Sequence, residues 1–346
     1  MKIWQLQARP EAGSSILLAS GEAPSAPLGP LDVAVRIQAV SLNYRDLLVA
    51  RSARATALVP LSDGAGEVIE VGDAVTHLQR GDRVMANFFP HWRDGELSAY
   101  DHTTALGGGA SDGMLREEVV LPAHAWVKVP RGWSFEEAAA LPCAGLTAWQ
   151  ALFEVTTTGP GQTVLLLGTG GVSIFALQLA LRAGAHVVIT TQSPSKVERL
   201  QAFGAGVTVI ETASTAGKFA EAVRVATGGR GVDTVVDVAG GATLNETLDA
   251  LRFGGTAALV GVLSGFQGEI ALGQILQKRL ALRGVYVGSV AMFERYVRAL
   301  EAGDDRPMID RVFTASASGS STEDVAEAYA HLASGQHFGK VVLRLT

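Results

Sequence analysis

The chain has 346 residues and a formal charge of −6, with 28 Lys and Arg against 34 Asp and Glu, so it exceeds one ordinary core and suits two domains. Hydrophobic residues make up 48% and charged residues 18%, which excludes global disorder, and no long basic block points to a nucleic-acid partner. The N-terminal MKIWQLQARPEAG lacks the apolar core of a signal peptide, and the longest apolar stretch, 170–181, falls short of the roughly 20 residues of a membrane span, so no membrane association is expected.

The first 140 or so residues read as β-rich. DVAVRIQAV (32–40), GEVIEVG (66–72) and DRVMANF (82–88) carry short β-branched runs, with one short helix expected over 43–50. From Asn87 to Gly113 the chain reads as a long loop, of the kind that is functional or mobile. Its Phe88, Phe89, His91 and Trp92 form an aromatic cluster with two readings, a roof over a flat apolar substrate or a satellite core.

The middle alternates. TVLLL (163–167), HVVIT (186–190), VTVI (207–210), DTVVDV (233–238), TAALVGV (256–262) and LRGVYV (282–287) read as strands, with helices expected over 172–182, 195–203, 216–226 and 242–251. Such alternation predicts a doubly wound parallel sheet covered on both faces. The tail predicts helices over 290–302 and 321–333, the second opened by Ser-Thr-Glu-Asp, and a closing strand KVVLRL (340–345) that pairs back with the N-terminal domain.

The strongest chemical signal is Gly168-Thr169-Gly170-Gly171-Val172-Ser173, between a strand and a helix. Gly168 permits a tight turn and Gly170 lets the backbone approach a pyrophosphate. The helix N-terminus offers N–H groups and a positive dipole end to that anion. Ser173 stands where the usual fingerprint has a third glycine. An NAD site carries Asp or Glu at the end of the second strand, about 20 residues on. Here Thr191, Gln192, Ser193 and Lys196 stand there, with donors and a cation for a 2′-phosphate, which favours NADPH. The other reading of Ser-Pro-Ser-Lys is a helix cap with a solvated lysine.

LNYRDLL (42–48), SDGAGEVIEVGD (62–73), LPCAGLTAWQAL (141–152), PGQTVLLLGTGGVS (160–173) and FGKVVL (338–343) resemble the medium-chain dehydrogenase/reductase superfamily, in its zinc-independent quinone oxidoreductase and alcohol dehydrogenase-like branch. The resemblance covers essentially the whole chain. It implies an α/β protein with a GroES-like β-rich catalytic domain, 1–144 with 289–346, and a Rossmann domain, 145–288. Zinc-dependent relatives hold a catalytic metal through Cys, His and Cys. Those positions match Asn43, Ser62 and Cys143 here, and the acidic neighbour of the His matches Asp63. Asn and Ser are poor zinc ligands, and Cys143 is the one cysteine, so no metal site and no disulfide are expected. A lone cysteine also fits a reducing, cytoplasmic setting.

The resemblance further implies that Asn43 and Thr147 lie near the nicotinamide. Gly261, Val262, Leu263, Val287 and Gly288 would line it, and Lys340 would be the tail residue near the cofactor. Without zinc, charge developing on a substrate oxygen needs donors, and the catalytic candidates are Asn43, Tyr44 and Asp63. Tyr44 reads equally as a general acid or as a packed aromatic. Arg45 is a further candidate donor, while Asp46 and Asp63 read as residues that orient the others. The expected reaction is NADPH-dependent reduction of quinones, enones or similar activated double bonds on a small apolar or aromatic substrate. The alternatives are an alcohol/aldehyde oxidoreductase, an enoyl-thioester reductase, or a non-catalytic NADPH-binding regulatory protein. The last strand of the parallel sheet would leave an open edge, from which a homodimer is expected.

Overall fold

The computed structural model describes residues 1–316 and 322–346, which divide into two compact units: Met1–Leu146 with Val287–Thr346, and Thr147–Tyr286. In chain order the strands are β1 (Lys2–Leu6), β2 (Leu18–Glu22), β3 (Asp32–Leu42), β4 (Asp63–Val71), β5 (Arg83–Ala86), β6 (Glu118–Pro122) and β7 (Trp126–Lys128). They continue with β8 (Thr163–Leu166), β9 (His186–Thr191), β10 (Val207–Glu211), β11 (Val232–Asp237), β12 (Leu251–Leu259), β13 (Ala281–Gly284), β14 (Ile309–Ala315) and β15 (Lys340–Leu345).

In the first unit, strands run in the order β14-β15-β3-β4-β5-β7, with β6 also on β3 and a separate β1-β2 hairpin. All pairs are antiparallel except β14-β15. Strand β3 is the backbone of this unit, because its apolar residues Val33, Val35, Ile37, Val40 and Leu42 are buried in one core with Trp4, Val68 and Val341. The closing strand β15 pairs with β3, and the helix Glu323–Ala333 buries Val325, Ala328, Tyr329 and Leu332. The expected start of that helix at Ser321 lies outside the described residues.

The segment after Asn87 is not a free loop. It contains a short helix, Ala99–Thr103, and is tied to the chain before it: Gly113 N–H donates to Val59 O and Met114 N–H to Leu61 O. Phe88, Phe89 and Trp92 are buried, with ring centroids of Phe88 and Phe89 4.7 Å apart, so the satellite-core reading holds. Arg45 stacks on Phe88 at 4.8 Å and donates to Leu106 O, so its guanidinium fastens this segment.

The second unit is a six-stranded parallel sheet in the order β10-β9-β8-β11-β12-β13. Counted within the unit this is 3-2-1-4-5-6, the doubly wound order, with its reversal between β8 and β11. The central strands β8, β9 and β11 are buried along nearly their whole length, and Leu165, Val188, Val235 and Ala257 pack in one core. Among the described residues, no helix is long and apolar enough to cross a membrane.

Candidate active site

In a doubly wound sheet, ligands sit beyond the carboxyl ends of the strands at the reversal point, which in the second unit is the end of β8. There Gly168 adopts φ 73°, a turn open to glycine at no steric cost, and its N–H donates to Thr190 Oγ1 at 3.2 Å. The helix Gly171–Arg182 follows, capped by Gly170, so the N–H groups of Gly171, Val172 and Ser173 have no intrahelical carbonyl. Ser173 is fully buried and donates to Leu167 O at 2.7 Å, so it meets the need for a small residue where helix and strand pack closest. A dinucleotide's diphosphate fits this terminus.

Lys196 is buried, and its Nζ donates to Thr169 Oγ1 at 3.2 Å, which places the ammonium against the glycine turn. The solvated-lysine alternative therefore fails. Ser193 and Ser195 share a hydrogen bond of 2.9 Å at the end of β9, and Thr191 Oγ1 accepts from Ser193 N–H. Gln192 is exposed beside them. Gly261 follows β12, where a Cβ would run into the Val238 carbonyl; Val262 is half-buried and Leu263 exposed. Thr147 is buried at the start of this unit.

The first unit gathers a second constellation at one end of three adjacent strands. Ser41 and Asp63 are register partners on β3 and β4, and Leu42 pairs with Val341 on β15, which brings Lys340 beside Asn43. Asp63 is 0% and Lys340 2% exposed. Lys340 Nζ donates to Leu42 O at 2.7 Å and to Asn43 Oδ1 at 2.6 Å, and lies 3.6 Å from Asp63 Oδ2. Asp63 Oδ2 accepts from Ser41 Oγ at 3.0 Å and from Asn43 Nδ2 at 2.9 Å, and Oδ1 accepts from Ser62 Oγ at 2.9 Å.

Asn43 occupies the N-cap of the helix Tyr44–Arg51 but spends its side chain on Asp63 and Lys340. The cap is supplied in reverse: Asp46 Oδ2 accepts from Asn43 N–H at 2.7 Å. Burial raises the Asp46 carboxyl to about 7, with Asp63 adding to the shift. Cys143 is partly exposed, yet burial and then Asp63 push its thiol well above the ordinary range. Tyr44, the first residue of the helix, is 39% exposed rather than packed beneath it. Val287 is buried at φ 57°, a strained value for a β-branched residue, and Gly288 O accepts from Asn87 Nδ2 at 3.3 Å.

Asn43, Asp63 and Lys340 are thus brought together, and Thr169 with Lys196 separately. Ser41 was missed from the sequence. Its signal is a period of two: Ser41 and Asn43 share a strand face, a polar pair at the end of an apolar run. Two of the three matched positions are poor zinc ligands: Ser62 donates to Asp63, and Asn43 turns its oxygen onto the Lys340 ammonium. Among the described residues no group of three or more His, Cys, Asp or Glu is placed to hold a metal.

Comparison with known proteins agrees with this architecture. Residues 29–131 match the alcohol dehydrogenase GroES-like domain, and 171–302 match the zinc-binding dehydrogenase domain. A zinc-type alcohol dehydrogenase-like protein of Schizosaccharomyces pombe is 40% identical over 328 residues, which is 92% of each chain. A solved NAD-dependent alcohol dehydrogenase is 31% identical with a TM-score of 0.86 over 100% of each chain. The quinone oxidoreductase of Pseudomonas syringae is 25% identical with a TM-score of 0.80 over 99% of each chain. The chain belongs to the medium-chain dehydrogenase/reductase superfamily, among its alcohol dehydrogenase-like and quinone oxidoreductase members, and is an oxidoreductase of that nicotinamide-dependent family.

Proposed function

We propose that this protein reduces quinones, enones or similar activated double bonds with NADPH and without zinc. The carrying observation is the buried Lys340 ammonium, which donates to Leu42 O and to Oδ1 of Asn43, one of the three positions that match the zinc ligands of its relatives, beside Asp63. A divalent cation there would face the Lys340 ammonium and find one soft ligand, Cys143, among the three matched positions.

NADPH, when bound, supplies a hydride. The chain's part is to hold and orient. The N–H groups of Gly171, Val172 and Ser173 would take the diphosphate. Ser193, Ser195 and Lys196 would take the 2′-phosphate, since β9 ends at Thr191 and Gln192 follows it, with no carboxylate to repel the phosphate. Thr147, Gly261, Val262 and Leu263 would line the nicotinamide. Reduction of a carbonyl-conjugated double bond leaves negative charge on the oxygen, which needs a donor. Asn43 supplies an amide N–H. Tyr44, exposed at the first turn of its helix, supplies a phenol that can deliver a proton. A second reading, aldehyde reduction on the same site, is favoured by the likeness to alcohol dehydrogenases.

A homodimer completes the proposal. Strand β13 ends its sheet with one edge unpaired among the described residues, and Phe266, Leu272 and Leu276 on the segment leading into it are exposed. The test is NADPH and NADH oxidation by purified protein against quinones, enals, acyl thioesters and aldehydes, with elemental analysis and chelator treatment. Chelator-insensitive NADPH oxidation with a quinone or enone is expected. Turnover that needs stoichiometric zinc, or that occurs only with aldehydes and NADH, overturns the reading.

A further inference from the structure

The Asn43 amide is held at both ends by opposite charges. Its Oδ1 accepts from Lys340 Nζ at 2.6 Å, and its Nδ2 donates to Asp63 Oδ2 at 2.9 Å. The flipped amide would set Nδ2 against an ammonium and Oδ1 against a carboxylate, so one orientation is selected. That orientation commits the oxygen and one N–H, and the second Nδ2–H has no partner among the described residues. Asn43 is partly exposed, whereas Asp63 and Lys340 are buried.

We propose that Lys340 and Asp63 are positioning residues that act through Asn43, fixing its amide so that an N–H, and never the carbonyl oxygen, faces the substrate oxygen that gains negative charge. The inference rests on the reduction proposed above and names what prepares its donor. The ammonium draws electron density through Oδ1 and makes the remaining N–H a stronger donor, as hydrogen bonds in a chain polarise one another. Asp63 fixes the plane of the amide, and is itself held by Ser41 and Ser62. The ladder makes the arrangement rigid: Ser41 is in register with Asp63, and Lys340 begins the strand paired with β3.

Two measurements test it. The chain has three asparagines, Asn43, Asn87 and Asn245, so selective 15N-asparagine labelling resolves each side-chain amide by NMR with no ligand present. The Asn43 pair is expected to show one slowly and one rapidly exchanging N–H, a difference that D63N and K340M erase. A pair whose two protons exchange alike in the wild type, or that ignores both substitutions, overturns the inference.

The second measurement is a double-mutant cycle on turnover. N43A should lower kcat about 100-fold, and K340M about 10-fold in the wild type but less than about 2-fold in the N43A background, since it acts through the missing amide. An equal loss in both backgrounds overturns the proposal. The exchange N43D/D63N keeps the same amide, carboxylate and ammonium but offers an acceptor at 43. It should fold and stay at least about 10-fold below wild type, and restored turnover would count against the idea. If wild-type protein reduces no acceptor, the proposed function falls while the NMR measurement still decides the amide orientation.

Discussion

Ser41 and Asp63 face each other across β3 and β4, and Ser41 Oγ lies within hydrogen-bond reach of both Asp63 Oδ2, at 3.0 Å, and Ala139 O, at 2.8 Å. A hydroxyl carries one proton, so it serves one acceptor at a time, and both are buried. S41A removes a donor from a buried carboxylate and should cost about 1–3 kcal/mol in urea unfolding. Unchanged stability would mean that the hydroxyl carries no share in holding Asp63.

Asp46 should make stability fall as pH rises. Its folded carboxyl titrates near 7, above the ordinary 3.8, because it is buried beside Asp63, while Arg45, Lys340 and the Asn43 N–H pull the other way. Between about pH 4 and 7 the folded state keeps a proton that the unfolded chain releases, so ionisation is increasingly penalised by folding. D46N removes the titration. Its stability relative to wild type should rise across that window by up to about 1.4 kcal/mol per pH unit and level off above pH 7. A difference that is flat from pH 5 to 8 contradicts the shift.

Asp233 behaves in the opposite sense. Its buried carboxylate receives Arg230 at 2.7 Å, Arg252 at 2.5 Å and the Thr163 N–H at 2.8 Å, and its folded value lies at about 2. The stability it contributes is present above the unfolded value of about 4 and is lost as pH falls toward 2. D233A should destabilise by about 3–5 kcal/mol at pH 7, with the cost shrinking below pH 4. Denaturant midpoints at pH 7 and pH 3 read the difference.

Lys196 should separate the two nucleotides. Its ammonium is buried against Thr169 and lies within three residues of Ser193 along the chain. K196M should weaken NADPH binding by about 10-fold or more and NADH binding far less, as measured by fluorescence titration. Equal losses would place the ammonium on the diphosphate instead.

The open edge of β13 makes a prediction about assembly. Wild-type protein should elute as a dimer by size exclusion with light scattering, and L276E should shift it toward monomer, since Leu276 is 77% exposed beside other apolar side chains. A monomeric wild type removes the homodimer.

The six strands and four of the helices of 163–284 were legible because a parallel sheet needs apolar strands separated by turns, while the helix Leu272–Lys278 went unread and the last strand runs 281–284 rather than 282–287. Elsewhere local pattern misled. Asn87 to Gly113 reads as a loop by its glycines, yet Gly113 N–H donates to Val59 O, Val59 N–H donates to Asp112 Oδ1 and Leu106 N–H donates to Phe88 O, partners that periodicity does not reveal. Strand β14 went unread because its exposed Arg311, Val312 and Thr314 hide the alternation, and its parallel pairing with β15 depends on a remote segment.

By itself the sequence determined the alternating domain and the glycine turn at 168–173, because each is written in neighbouring residue types. Only the tertiary structure decided that Asn43, Asp63 and Lys340 meet. Lys340 and Asn43 are 297 residues apart, and no local period carries that distance. The pairing of β15 with β3 closes it, and low-dielectric burial then compels the ammonium, amide and carboxylate to satisfy one another.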